Sequence, residues 1–191
     1  MRRRRSNGST SRAERTQAHA ASFSAQRQAL LGRLAGGLRD IVEAAALTGA
    51  RPGELIKATR GSFDQRTGSA TLSGKTGPRT VPLSPAALDL FEHMGRNKLP
   101  AARLFTQDDG RPWKSNLWGQ LIDEAAQLAG LPKGTCMYTL GHCWITEALL
   151  GGMPTLEVAR LTGTGIKYIE KHYGHLIADV ARKRLAKVKM L

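Results

Sequence analysis

The chain is expected to fold as a mainly α domain carrying a small antiparallel three-stranded β-sheet. Two observations predict this. Apolar residues recur at helical spacing near both ends, as in Leu38, Ile41, Val42, Ala45 and Ala46 and again in Ile177, Val180, Ala181, Leu185 and Val188. Between them, three short β-prone stretches are separated by the turn sequences Gln65-Arg66-Thr67-Gly68 and Lys75-Thr76-Gly77-Pro78.

Taken in order, residues 1–22 hold Arg2, Arg3, Arg4 and Arg5 among Ser, Asn, Gly and Thr, with few apolar positions. Such a segment cannot bury a core and reads as a basic flexible tail or linker. Order is expected from Phe23 onward. Ser24 suits the N-cap of a helix over residues 25–34, and a second helix runs over 38–48 until Gly49 ends it. Pro52 suits the first turn of a short helix over 52–58. Strands are expected at 61–64, 70–73 and 79–82. Ser84-Pro85 opens a helix over 86–96. Further helices are expected at 115–129, 139–150 (stopped by Gly151-Gly152) and from Pro154-Thr155 to Thr162-Gly163. Two separate helices, at 166–173 and 177–188, complete the chain.

The 191 residues suffice for one domain with a real core, and 41% hydrophobic content is ordinary for a globular chain. No apolar run approaches bilayer length, and no apolar segment follows the N-terminal arginines as a secretory signal would require. These features point to the cytoplasm. Lys and Arg number 29 against 15 acidic residues, a formal charge of +14. That excess predicts a polyanionic partner, nucleic acid ahead of an anionic membrane, since no basic stretch has the bulky apolar face of a surface anchor. Cys136 and Cys143 lack zinc-site spacing and suit a reducing compartment.

Three dispersed residues carry the chemistry. Tyr173 lies in Glu170-Lys171-His172-Tyr173-Gly174-His175-Leu176. A phenol titrates near pH 10 and needs help to attack phosphorus. A packed tyrosine at a helix end, its hydroxyl in water, accounts for the same residue. Arg51 sits on a helix–helix corner in Thr48-Gly49-Ala50-Arg51-Pro52-Gly53-Glu54-Leu55. Its planar fork suits two phosphate oxygens, although a local ion pair with Glu54 is an equal use of it. Lys75 lies in the hairpin turn of Ser73-Gly74-Lys75-Thr76-Gly77. From there an ammonium reaches a DNA backbone and can protonate a leaving alkoxide, or simply stays solvated. The string lacks the glycine spacing and following helix of a nucleotide-binding loop. A nucleophile, a charge stabiliser and a proton donor are the set that strand breakage and rejoining requires.

Together these strings resemble the catalytic domain of the tyrosine recombinases, the phage-integrase family. The resemblance runs from about Phe23 to the C-terminus. It rests on Thr48 to Leu55, on Gly74 to Gly77 with Val81-Pro82-Leu83-Ser84, on Tyr138-Thr139-Leu140-Gly141-His142, and on Glu170 to Leu176. It implies that Arg51 clamps the scissile phosphate, that Lys75 protonates the departing 5′ oxygen, and that Tyr173 forms a 3′-phosphotyrosyl link. Such a link conserves the bond energy, so the resemblance implies neither a cofactor nor a metal. It also implies site-specific recombination or integration of a phage or mobile element, with double-stranded DNA as partner, and leaves a homotetramer on the DNA open. Arg79 and Arg2 to Arg5 are expected on the DNA backbone.

The departures are as informative. The family's His-x-x-Arg motif falls on Tyr138 to Gly141, so a tyrosine replaces the histidine and a glycine the second arginine. Thr164 falls where the family has a His or Trp. The hydroxyls of Tyr138 and Thr164 can still bond a phosphate oxygen, as can His142, which matches a family histidine. Gly141 removes a full positive charge, and one lost charge-assisted donor costs on the order of a hundredfold to a thousandfold in rate. His142, Lys167 and Arg160 are the candidates to make up part of it. Cleavage is therefore expected to be slow or absent. A catalytically inactive DNA-binding protein of the integrase fold and a type IB topoisomerase-like enzyme are the alternatives. Integrases of this type carry a separate N-terminal helical clamp domain, which is expected to be absent here, leaving 23–191 as the catalytic domain.

Overall fold

A computed structural model describes residues 23–74, 77–114 and 117–188. The tail at 1–22 lies outside them, as does the hairpin turn that carries Lys75. Helix α1 covers residues 23–31, and α2 runs Gly36–Thr48. Ile41, Val42, Ala44, Ala45 and Ala46 of α2 are buried, the stripe that helical periodicity predicts. Gly49 closes α2 in the left-handed conformation (φ 64°), its N–H donating to the Ala45 carbonyl at 3.0 Å. Pro52 then opens the single turn α3, Pro52–Leu55, shorter than expected.

The sheet has the order β1-β2-β3, all antiparallel: Phe63–Asp64, Ser69–Gly74 and Gly77–Pro82. Residues 60–62, which lead into it, form a 3-10 turn where strand was expected from 61. Ala70 pairs with Val81 and Leu72 with Arg79, and alternation puts Ala70, Leu72 and Val81 into the core. Helix α4, Pro85–Gly95, brings Phe91 between Phe63 and Phe105, with ring centroids 5.9 and 5.3 Å apart.

The remaining helices are α5 (Trp118–Leu128), α6 (Met137–Leu150), α7 (Thr155–Thr162) and α8 (Ile166–Leu185). Helix α6 is central: it packs on α2 from one side and on α7 and α8 from the other. The indole Nε1 of Trp144 donates to the Leu47 carbonyl at 3.1 Å, and Arg27 of α1 grips Glu147 through 2.7 and 3.2 Å bonds. The main core joins α1 to α6 and the sheet. A second, smaller cluster of Ile145, Leu149, Val158, Ala159, Ile169 and Tyr173 holds α6, α7 and α8 together.

The two helices expected after residue 166 are one continuous helix of 20 residues. Gly174 lowers helix propensity by about 1 kcal/mol relative to alanine, which does not break a helix anchored on both sides. Ile169 and Tyr173 precede the glycine in the small cluster, and Leu176 and Ile177 follow against it.

Candidate active site

Arg51 is the N-cap residue of α3, with an extended backbone (φ −71°, ψ 144°). Its N–H donates to Glu54 Oε2 at 2.9 Å, and its Nη2 donates to the Gly163 carbonyl at 2.6 Å, just past the end of α7. The second terminal nitrogen stands 3.7 Å from Glu54 Oε1, and the side chain remains 37% exposed. Arg51 is thus braced at its root while its guanidinium still reaches an open cleft.

Glu54 does the bracing. Its side chain is 2% exposed, and both carboxylate oxygens accept from Arg79, with Nη2 2.8 Å from Oε2 and Nη1 bonding Oε1. Arg79 Nε donates to the Leu161 carbonyl at 2.9 Å. One buried carboxylate therefore ties α3, strand β3 and the end of α7 into a single frame. Gly74 is part of the same fit, because a Cβ there would lie 2.6 Å from Glu54 Oε1. Arg79, expected on the DNA backbone, is only 12% exposed and turned inward. It is a strut instead: a carboxylate buried beside it supplies the counter-charge that phosphate was expected to supply.

The cleft holds about 350 Å³ and is lined by Arg51, Tyr138, Gly141, His142, Thr164 and Tyr168, among others. Arg51 thus shares one wall system with the three hydroxyl or imidazole groups expected near the phosphate. Tyr138, 68% exposed, stands on the first turn of α6. Gly141 and His142 follow one turn later on the same face. No atom lies within 4 Å of where a Cβ on Gly141 would sit. Lys167 and Arg160 are exposed but are not among the cleft's lining residues. Lys75 and Arg2 to Arg5 lie outside the described residues; β2 and β3 lead to the Lys75 turn, ending at Gly74 and Gly77.

Tyr173 is not the helix-end tyrosine with its hydroxyl in water that the sequence also allows. It lies in the interior of α8, 6% exposed, with its ring in the small core and its hydroxyl bonded to Nδ1 of His142. Burial pushes the phenol up to about 12. The hydroxyl meets the cleft through His142. This contact, 31 residues apart in sequence, leaves no trace in local pattern. Tyr168 was also missed: it lines the cleft and its ring stacks on His172, centroids 4.3 Å apart. Local spacing gave no signal for it, since five residues along a helix turn it about 140° away from Tyr173. Among the described residues, no three His, Cys, Asp or Glu side chains converge as a metal would need. No described helix is long and apolar enough to cross a membrane.

No family model matches the chain. Tyrosine recombinase XerD of Mycobacterium tuberculosis is 33% identical over 135 residues, 65% of this chain and 43% of the relative. The Tn1549 transposon integrase, solved in complex with circular intermediate DNA, superposes with a TM-score of 0.71 at 19% identity, over 86% of this chain and 66% of that one. The catalytic domain of bacteriophage HP1 integrase gives 0.63 at 21% identity, covering 86% of this chain and 92% of that domain. Over these 135 residues the chain is similar in sequence to a tyrosine recombinase, and it shares the fold of the integrase catalytic domains. The mainly helical fold with its three-stranded sheet is the catalytic-domain fold of this family. The chain spans less than half the length of the XerD relative that it matches.

Proposed function

We propose that the chain cuts and rejoins double-stranded DNA through a 3′-phosphotyrosine on Tyr173, at a rate impaired by Gly141. The observation that carries this reading is the His142–Tyr173 bond at the wall of the Arg51 cleft. It supports this reading because His142, the partner of the Tyr173 hydroxyl, lines the same cleft as Arg51, Tyr138 and Thr164. Phosphoryl transfer asks little else of a protein than positioning and cations where charge develops. Arg51 supplies one such cation, and Lys75, on the turn between β2 and β3, is assigned the proton delivered to the 5′ oxygen. Tyr138 and Thr164 supply neutral hydrogen bonds.

Within this reading residues 23–191 form the catalytic unit, and Arg2 to Arg5 add attraction to the phosphate backbone. The substrate is a recombination or integration site in bacterial or phage DNA, met in the cytoplasm by a homotetramer. The test is a suicide substrate whose nick lets the cleaved end diffuse away. The chain should accumulate a slow covalent adduct that Tyr173→Phe abolishes. Absence of adduct despite specific DNA binding favours the second reading, an inert DNA-binding relative that competes at such sites. The open space at Gly141 and the buried phenol support that alternative.

A further inference from the structure

We infer that His142 is the proton acceptor for Tyr173, so that the imidazolium it forms becomes a second cation of the cleft. The inference rests on the strand-cleavage reading above and adds the group that makes the phenol a nucleophile. Three observations lead to it. The Tyr173 hydroxyl bonds Nδ1 of His142, and the same histidine lines the cleft that holds Arg51. The phenol is otherwise enclosed, its ring packed among Ile145, Leu149 and Ile169. Among the lining side chains, His142 is the one with a ring nitrogen that can accept a proton. Arg51 is always charged, and the hydroxyls of Tyr138, Thr162, Thr164 and Tyr168 are poor bases. His172, next to Tyr173 on α8, cannot share its inward direction, because successive helical residues point about 100° apart; it is exposed and stacked on Tyr168.

A neutral imidazole with its own proton on Nε2 accepts the phenolic O–H at Nδ1. As Oη bonds to phosphorus, its proton passes to Nδ1. The P–O5′ bond breaks with its electron pair on the 5′ oxygen, which takes a proton from the general acid assigned to Lys75. His142 is left as an imidazolium, adjacent in sequence to Gly141, where the family's arginine is missing. Rejoining reverses the path: the 5′ hydroxyl attacks and gives its proton back to the group assigned to Lys75, the phosphotyrosyl bond breaks with its electron pair on Oη, and Nδ1 returns its proton to Oη. Burial keeps the unassisted phenol protonated at neutral pH, which is why an acceptor in contact matters.

The test uses single-turnover adduct formation on a nicked suicide substrate by the full chain, with His142→Ala and His142→Gln alongside it. Glutamine offers a hydrogen-bond acceptor but takes no proton. Both variants should fold by circular dichroism, bind DNA like the parent, and lose about 10²- to 10⁴-fold in adduct rate. Added imidazole should restore part of the His142→Ala rate, and a series of substituted imidazoles should restore it in proportion to basicity, which a purely positioning role would not produce. A His142→Gln chain as fast as the parent, or no rescue of a folded His142→Ala chain, overturns the inference while leaving the cleavage reading intact. If His142→Ala does not fold, the His142→Gln rate alone decides. If the parent chain itself yields no adduct, the cleavage reading falls and the proton-acceptor role falls with it.

Discussion

Arg79 closes on the buried carboxylate of Glu54, with Nη2 2.8 Å from Oε2, and from strand β3 it also holds the Leu161 carbonyl of α7. This clasp fixes the corner that presents Arg51. A charge left alone in such a place is expensive, on the order of 3–5 kcal/mol when one partner is removed. Glu54→Gln should therefore lower unfolding free energy by about that amount, read from urea melts. Arg79→Met should cost a similar amount. The double variant should cost less than the sum, leaving a coupling energy above about 1 kcal/mol. Additive losses would show that the two groups act independently.

Gly141 lines the cleft beside Arg51, and nothing lies within 4 Å of a Cβ built on it. A side chain can therefore start there without displacing a neighbour. Gly141→Arg should raise covalent-adduct yield on a nicked substrate by roughly a hundredfold to a thousandfold. It should also stabilise α6 by up to about 1 kcal/mol, because a glycine leaves the helix interior. A thermal melt separates the two effects from each other.

The phenol of Tyr173 is pushed up to about 12 by burial, against an ordinary value near 10. The folded state therefore holds this proton more tightly than the unfolded chain does. Stability is retained below pH of about 10 and lost as pH rises from there toward about 12. Difference titration of phenolate absorbance, parent minus Tyr173→Phe, should show one group ionising near the upper value. A difference curve centred near pH 10 would mean that the ring is solvated. Tyr173→Phe should also flatten the alkaline fall in stability across that window.

A formal charge of +14 predicts binding dominated by phosphate contacts and counterion release. A chain neutralising roughly six to ten phosphates loses about 10³- to 10⁵-fold in affinity between roughly 50 and 200 mM salt. Fluorescence anisotropy with a labelled duplex should give a straight line of log affinity against log salt with a steep negative slope. Arg79→Met should leave that slope unchanged, since the side chain is held by Glu54, whereas Arg51→Ala should make it shallower by about one contact. A shallower line for Arg79→Met would place that guanidinium on the DNA after all.

How far local pattern reaches is plain from particular elements. Helix α2, the Gly49 stop, the Pro52 start and the three strands follow from periodicity and turn chemistry, which act over a few residues. The Arg51 corner before a short helix follows from the same rules, although that helix stops at Leu55 and not at residue 58. The split expected in α8 did not occur, because a glycine's weak local preference yields to packing on both sides of it. Arg79 could not be assigned from its neighbours in sequence, since its partner Glu54 is 25 residues away. The fate of Tyr173 was equally hidden: its hydroxyl meets His142 only once α6 and α8 pack together. The residue types and their order were thus settled by the sequence alone. Which charges are buried, and which side chain holds the phenol, were decided by tertiary contacts, because burial and hydrogen bonding depend on whatever the folded chain brings from far away.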